Sequence, residues 1–165
     1  MDLFLIRHAQ SLNNARPEAE RVEDPALTDL GRRQAACLAD QIPTLGLTRM
    51  VVSPFLRTLE TAEFLWRVAQ LAPQVQVSLH EVGGCVHGPD PSVMVGRPGM
   101  TRATIEERFP EYVVESRIDA QGWWRSQPYE TPAQARTRAG ELLADTQRRF
   151  AHTAERVAYV MHADI

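Results

Sequence analysis

Five side chains in this sequence are suited to phosphate chemistry, and all five stand at or just beyond stretches that read as strands. Arg7 and His8 directly follow the apolar run Leu3-Phe4-Leu5-Ile6. Arginine is always charged and offers a planar fork of donors that suits phosphate oxygens. Histidine can act as a nucleophile at neutral pH. Arg57 lies just after Met50-Val51-Val52, Glu81 after Val75 to Leu79, and His162 after Val157 to Met161. In an open parallel sheet the carboxyl ends of the strands share one edge, and ligands bind there. Two arginines and two histidines gathered at such an edge form a pocket for a dianion.

The elements that must carry these groups can be read along the chain. Leu3 to Ile6 is the first strand, and a polar loop runs from Ala9 to about Leu27. Thr28 reads as an N-cap, with Asp29 in the first turn of a helix. Leu30, Ala35, Leu38 and Ile42 share one face of it, and Pro43 and Gly46 end it. Met50 to Val52 is a buried strand. Ser53-Pro54 breaks it and starts a helix with Leu59, Ala62, Trp66 and Ala69 on its apolar face, closed by Pro73. Val75, Val77 and Leu79 alternate with polar residues, as in a strand of period two. Thr131-Pro132 opens the last helix, whose apolar face runs through Ala135, Ala139, Leu142, Leu143, Thr146 and Phe150. Val157 to Met161 is the final strand. Strands alternating with helices imply an α/β fold, a three-layer α/β/α sandwich around a largely parallel sheet.

Between Gly83 and Glu130 this regular alternation stops. The stretch is rich in glycine and proline and shows one short helix near Arg102 to Phe109. Such an excursion suits a lid-like insertion, with Trp123 and Trp124 as anchors or as stacking residues for a substrate.

A length of 165 residues fits one domain. No apolar run reaches the roughly 20 residues of a membrane span. The strand pattern begins almost at Met1, which leaves no room for a signal peptide and points to the cytoplasm. Cys37 and Cys85 have no ligand-spaced companions, so reduced thiols are expected rather than a disulfide or a zinc site. The net charge of −3 is spread along the chain, which does not suit a nucleic-acid partner. All 18 basic residues are arginine. That excludes Schiff-base and Walker-type sites, which need lysine.

Several segments together resemble one family. LIRHAQS is similar to the "RHG" motif of the histidine phosphatase superfamily, the phosphoglycerate mutase-like family. DPALTDLGRRQA looks like its "LT/S-x-x-G-x-x-Q-A" segment, and SPFLRTLETA like its second-arginine motif. LHE at Leu79 to Glu81 resembles the "LxE" that carries an acid, and YVMH places the second histidine. The resemblance implies a phosphoglycerate mutase-like fold and a phosphoric monoester hydrolase without cofactor or metal. His8 would form a phosphohistidine. Arg7, Arg57 and His162 would hold the phosphate oxygens, Asn14 would add a neutral donor, and Glu81 would exchange the proton. The implied substrate is a small phosphorylated metabolite or a phosphoprotein. Arg97 and Arg102 are candidates for a second anionic group on it.

Mutases of this family carry "ERHYG" at the acid, with basic residues that hold a substrate carboxylate. Here Glu81 is followed by Val82-Gly83-Gly84, which favours a phosphatase over a mutase. A silent binding domain on the same fold is the third reading, and the intact set of site residues opposes it. For Arg57 the competing role is an ion pair with Glu60 or Glu63; for His162, a buried core histidine. Only Ala163-Asp164-Ile165 follow His162, where the family usually continues with glycine, a helix and a strand. The pattern therefore implies that the C-terminal part of the domain lies outside this chain.

Overall fold

The structure is a computed structural model and describes residues 1–165. Five parallel strands form one sheet in the order β1 (Asp2–Arg7), β7 (Arg156–Met161), β2 (Arg49–Val52), β3 (Gln74–Val75) and β6 (Val113–Val114). β7 lies between β1 and β2, and its residues Val157 to Met161 are all buried. This explains its unbroken apolar sequence, since a central parallel strand is covered on both faces.

Alternate residues of the strands feed two cores. Met50, Val52 and Val160 pack with helices α2 (Asp29–Ala39), α3 (Ile42–Leu45), α4 (Leu56–Ala69) and α5 (Arg102–Arg108). Val51, Val157, Tyr159 and Met161 pack with Leu142 and Phe150 of helix α6 (Pro132–Phe150). The sandwich read from the sequence is therefore present.

Several local expectations need correction. The period-two strand over Val75 to Leu79 is only two residues long. After Gln76 donates to the Val52 carbonyl, the chain winds into a 3₁₀ turn over Val77–Leu79. Apolar residues two apart fit either form, and Leu79 is buried in the turn. Pro43 does not end the first long helix. That helix stops at Ala39, Pro43 lies in the first turn of α3, and Gly46 closes α3 in the left-handed region. Leu30 and Leu143 are exposed rather than on core faces. The polar loop after β1 holds helix α1 (Leu12–Ala15) and a 3₁₀ turn at Glu18–Glu20.

The stretch from 83 to 130 carries more structure than its composition suggests. It holds a hairpin of β4 (Val86–His87) and β5 (Val95–Gly96), helix α5, and β6, which joins the main sheet. Ile105, Tyr112, Ile118, Trp123 and Trp124 belong to the larger core, and the Trp123 ring meets Phe55 at 4.7 Å. The tryptophans are anchors.

Candidate functional site

Strand register places the site. Arg7 pairs with Met161, and Val52 pairs with Val160, so β1, β7 and β2 end nearly in step. The next residues, His8, His162 and Ser53, leave the sheet on one edge as neighbours. The His8 and His162 rings meet edge to face at 5.2 Å.

His8 is buried, and its Nδ1 lies 2.7 Å from the Ala9 carbonyl. That bond keeps the proton on Nδ1 and leaves the Nε2 lone pair free. Burial pushes the His8 pKa down to about 4; the Ala9 carbonyl opposes this, and the charges of Arg57 and Arg7 add to it. The loop is tied to α4, because Ala9 N–H donates to Thr61 Oγ1 and Thr61 donates to the Arg57 carbonyl.

Arg57 stands in the first turn of α4 and is buried over the Phe55 ring, 4.0 Å from its centre. Its Nη2 donates to Glu81 Oε2 at 2.6 Å and lies 3.4 Å from His162 Nδ1. The alternative partners are engaged elsewhere: Glu60 with Arg32, Arg108 and the Leu27 N–H, and Glu63 with Arg67. No side chain of Phe55 caps α4; Asp24 Oδ1 accepts from Leu56 N–H at 2.7 Å instead.

His162 is buried with Nε2 2.8 Å from Ser53 Oγ and Nδ1 3.9 Å from Glu81 Oε1. Burial, reinforced by the Arg57 charge, holds its pKa well below the ordinary histidine value. Glu81 follows the 3₁₀ turn and is partly open to solvent. One nitrogen or oxygen from each of His8, Glu81 and His162 lies within 4.8 Å of the others. Such a trio has the chemistry of metal ligands. Yet the Arg57 guanidinium stands among them, so the cluster suits an anion.

A cavity of about 380 Å³ opens beside Arg57 and Glu81, walled further by Phe55, Asn13, His87 and Tyr129. The other residues singled out in the sequence fall into two groups. Arg7 ends β1 exposed and without an ion-pair or hydrogen-bond partner, close enough to act on His8. Asn14 Oδ1 accepts from the Ser11 N–H and hydroxyl, and its amide group has no protein partner. Arg97 and Arg102 are brought to no common point with these. Arg97 is exposed outside the cavity wall. Arg102 donates to the carbonyls of Ile118, Val114 and Glu115 and to Glu106, so its guanidinium is already used within the fold. Arg102 is therefore not free to bind a second anion of the substrate. Ser53, Thr61 and Tyr129 were not singled out from the sequence; Ser53 and Thr61 carried a signal, their places within SPFLRTLETA, and Tyr129 carried none.

A family model for the histidine phosphatase superfamily (branch 1) matches residues 3–165. A probable phosphoglycerate mutase of Yersinia enterocolitica is 27% identical over 150 residues, which cover 91% of this chain. The chain spans about 60% of the length of that relative. Among solved structures, a mycobacterial glucosyl-3-phosphoglycerate phosphatase in complex with VO3 is similar with a TM-score of 0.61 at 22% identity, over 97% of this chain and 74% of that one. The ecdysone phosphate phosphatase of Bombix mori in complex with tungstate has a TM-score of 0.63 at 18% identity, over 98% and 72%. Family match and fold agree with the RHG-type segment at the end of β1: the chain belongs to the histidine phosphatase superfamily, branch 1.

Proposed function

We propose that this chain carries a metal-independent phosphomonoesterase site that works through a phosphohistidine on His8. The observation that carries the reading is the state of His8. It is neutral at pH 7, its proton is held on Nδ1 by Ala9, and it stands beside Arg57, His162 and Glu81.

In the first step His8 Nε2 attacks phosphorus in line with the leaving oxygen. The N–P bond forms as the P–O bond breaks, and Glu81 gives its proton to the leaving alkoxide. Arg7, Arg57 and His162 hold the equatorial oxygens and offset their charge, with Asn14 as a neutral donor. In the second step Glu81 takes a proton from water, whose oxygen displaces the histidine and releases phosphate. The Arg57–Glu81 contact of 2.6 Å must loosen when the phosphate arrives, which frees both groups for these roles.

Hydrolysis is favoured over transfer by the positions after Glu81. Gly83 and Gly84 have φ of +95° and +78°, and a Cβ on either would run into Tyr129 or Trp124. The two basic residues of the mutase motif fall at Val82 and Gly83; the first is replaced by an apolar residue and the second position does not admit a side chain. The names of the similar solved phosphatases support a small phosphorylated metabolite as substrate. The cytoplasm is the proposed location; no helix is long and apolar enough to cross a membrane.

The test is phosphate release from a panel of phosphomonoesters with a chelator present, beside His8→Ala. Release that survives chelation, a trapped phosphohistidine and loss of both in the variant are expected. Phosphate moved between hydroxyls without net release would point to a mutase. No turnover and no trapped intermediate would sink the catalytic reading.

A further inference from the structure

Behind Glu81 lies a buried ion cluster that the proposed chemistry leaves unused. Arg138 of α6 grips Glu130 with two prongs, Nε to Oε1 at 2.8 Å and Nη2 to Oε2 at 2.7 Å. The two side chains are only 13% and 9% exposed. The third arm of the guanidinium, Nη1, donates to the Ser78 carbonyl at 2.8 Å. The Glu130 N–H donates to the Gly83 carbonyl at 3.1 Å. Between these points sits His80, buried, with Nδ1 donating to the Val77 carbonyl and Nε2 3.4 Å from Glu130 Oε2. The Trp124 ring packs on it at 5.0 Å.

Glu81 thus lies within a segment, Ser78 to Gly83, that Arg138 holds at the Ser78 carbonyl and Glu130 at the Gly83 carbonyl. His80 Nε2 only faces the Glu130 carboxylate, with no hydrogen bond between them. Glu81 is also steadied by its own contact with Arg57, by the Gly84 N–H on its carbonyl and by the Val82 N–H on the Asp164 carbonyl. A buried ion pair is weak evidence for stability, because desolvation offsets the attraction. A fork of fixed geometry is better suited to setting direction.

We propose that Arg138 and Glu130 are positioning residues for Glu81, which aim its carboxyl at the leaving oxygen. The inference rests on the reading of Glu81 as the acid. The proton moves from the Glu81 carboxyl to the leaving alkoxide as the P–O bond breaks; Arg138 and Glu130 exchange no proton. A misplacement of about 1 Å can cost roughly 10²-fold in rate. The loss falls on substrates whose leaving group needs a proton and spares those whose leaving group does not.

The experiment compares kcat/KM for glycerol phosphate, an alkyl ester, with that for 4-nitrophenyl phosphate, an aryl ester. Arg138→Ala and Glu81→Gln are made singly and together in the full chain. Arg138→Ala is expected to lower the alkyl value about tenfold or more and the aryl value less than about threefold. In the Glu81→Gln background it should add no further loss. Arg138 also lines a groove of about 820 Å³ on the outer side of the cluster, so ethylguanidinium added to Arg138→Ala should restore the alkyl rate. If Arg138→Ala does not fold by circular dichroism, Arg138→Lys keeps the charge, loses the fork and is read in the same way. Equal losses on both esters, or losses that add to Glu81→Gln, would overturn the positioning role alone. A Glu81→Gln variant with no alkyl preference in its loss would overturn the acid role, and the positioning role with it.

Discussion

Ser53 Oγ lies 2.8 Å from His162 Nε2, where the adjacent strands β2 and β7 come to an end. The contact decides which way the histidine faces the pocket. Arg57 Nη2 stands 3.4 Å from the other nitrogen, Nδ1, and can only donate. The proton of the neutral ring is therefore on Nε2 and is accepted by Ser53. When a dianion draws a second proton onto Nδ1, Ser53 still accepts, so the ring need not turn between the two charge states.

Ser53→Ala removes that acceptor from a buried nitrogen, at a cost of about 1–3 kcal/mol. The expected result is a fall in kcat of about tenfold from a loosened His162, with a lowered Tm. Steady-state kinetics beside a melting curve checks it. An unchanged kcat would show that packing alone aims His162.

Buried neutral histidines make the fold sensitive to acid. His8 and His80 are pushed down to about 4 by burial from an ordinary 6.5. Between those values the unfolded chain binds more protons than the folded one, so stability falls as pH falls. The slope approaches about 1.4 kcal/mol per pH unit for each histidine. His8→Gln should flatten the fall of Tm across this window. With His8 as the proposed nucleophile, the acid limb of kcat/KM in the native chain should lie near the His8 value of about 4.

Asp24 works in the opposite direction. Burial pushes its pKa up to about 7, against the Leu56 N–H and the charges of Arg57 and Arg108. The folded chain therefore binds more protons than the unfolded one between 3.8 and about 7, and stability is lost as pH rises through that range. Asp24→Asn keeps the oxygen that accepts from Leu56 and removes the charge. It should melt higher than the native chain at about pH 8 and no higher at about pH 4. Differential scanning calorimetry at the two values is the check.

Gly84 faces the Trp124 ring so closely that an added Cβ would meet Cζ2 at 2.3 Å, and its φ of +78° disfavours any side chain. Gly84→Ala should cost about 2–4 kcal/mol, read from urea unfolding, by combining left-handed strain with overpacking. Activity should fall with it, since Trp124 packs on His80 next to Glu81.

The fold and much of the pocket were legible in the sequence because strand-end groups carry their own punctuation. An apolar run that stops at Arg7-His8 or at His162 states both the strand and its cargo. The losses came where one pattern serves two structures. Val75, Val77 and Leu79 fit a strand or a tight turn, and only the shift of Gln76 onto Val52 shows that pairing ends there. Arg102 has the charge of a substrate ligand, but three backbone carbonyls already bind it, and no local signal reveals partners 12 to 16 residues away. Glu130 and Arg138 share one side of a helix start, yet what they hold lies 47 to 60 residues earlier.

The side-by-side pairing of β1 with β7 also has a consequence for how the protein comes into being. His8 leaves the ribosome long before His162 and the strand that carries it, although the two strands lie edge to edge in the finished sheet. Contacts of such long separation form late, after the loop between them has closed. A nascent or cleaved chain without β7 has the nucleophile and no pocket. On the proposed function, turnover of phosphoester is thus a readout of a completed sheet, and it should vanish in any partly folded state that still holds its helices.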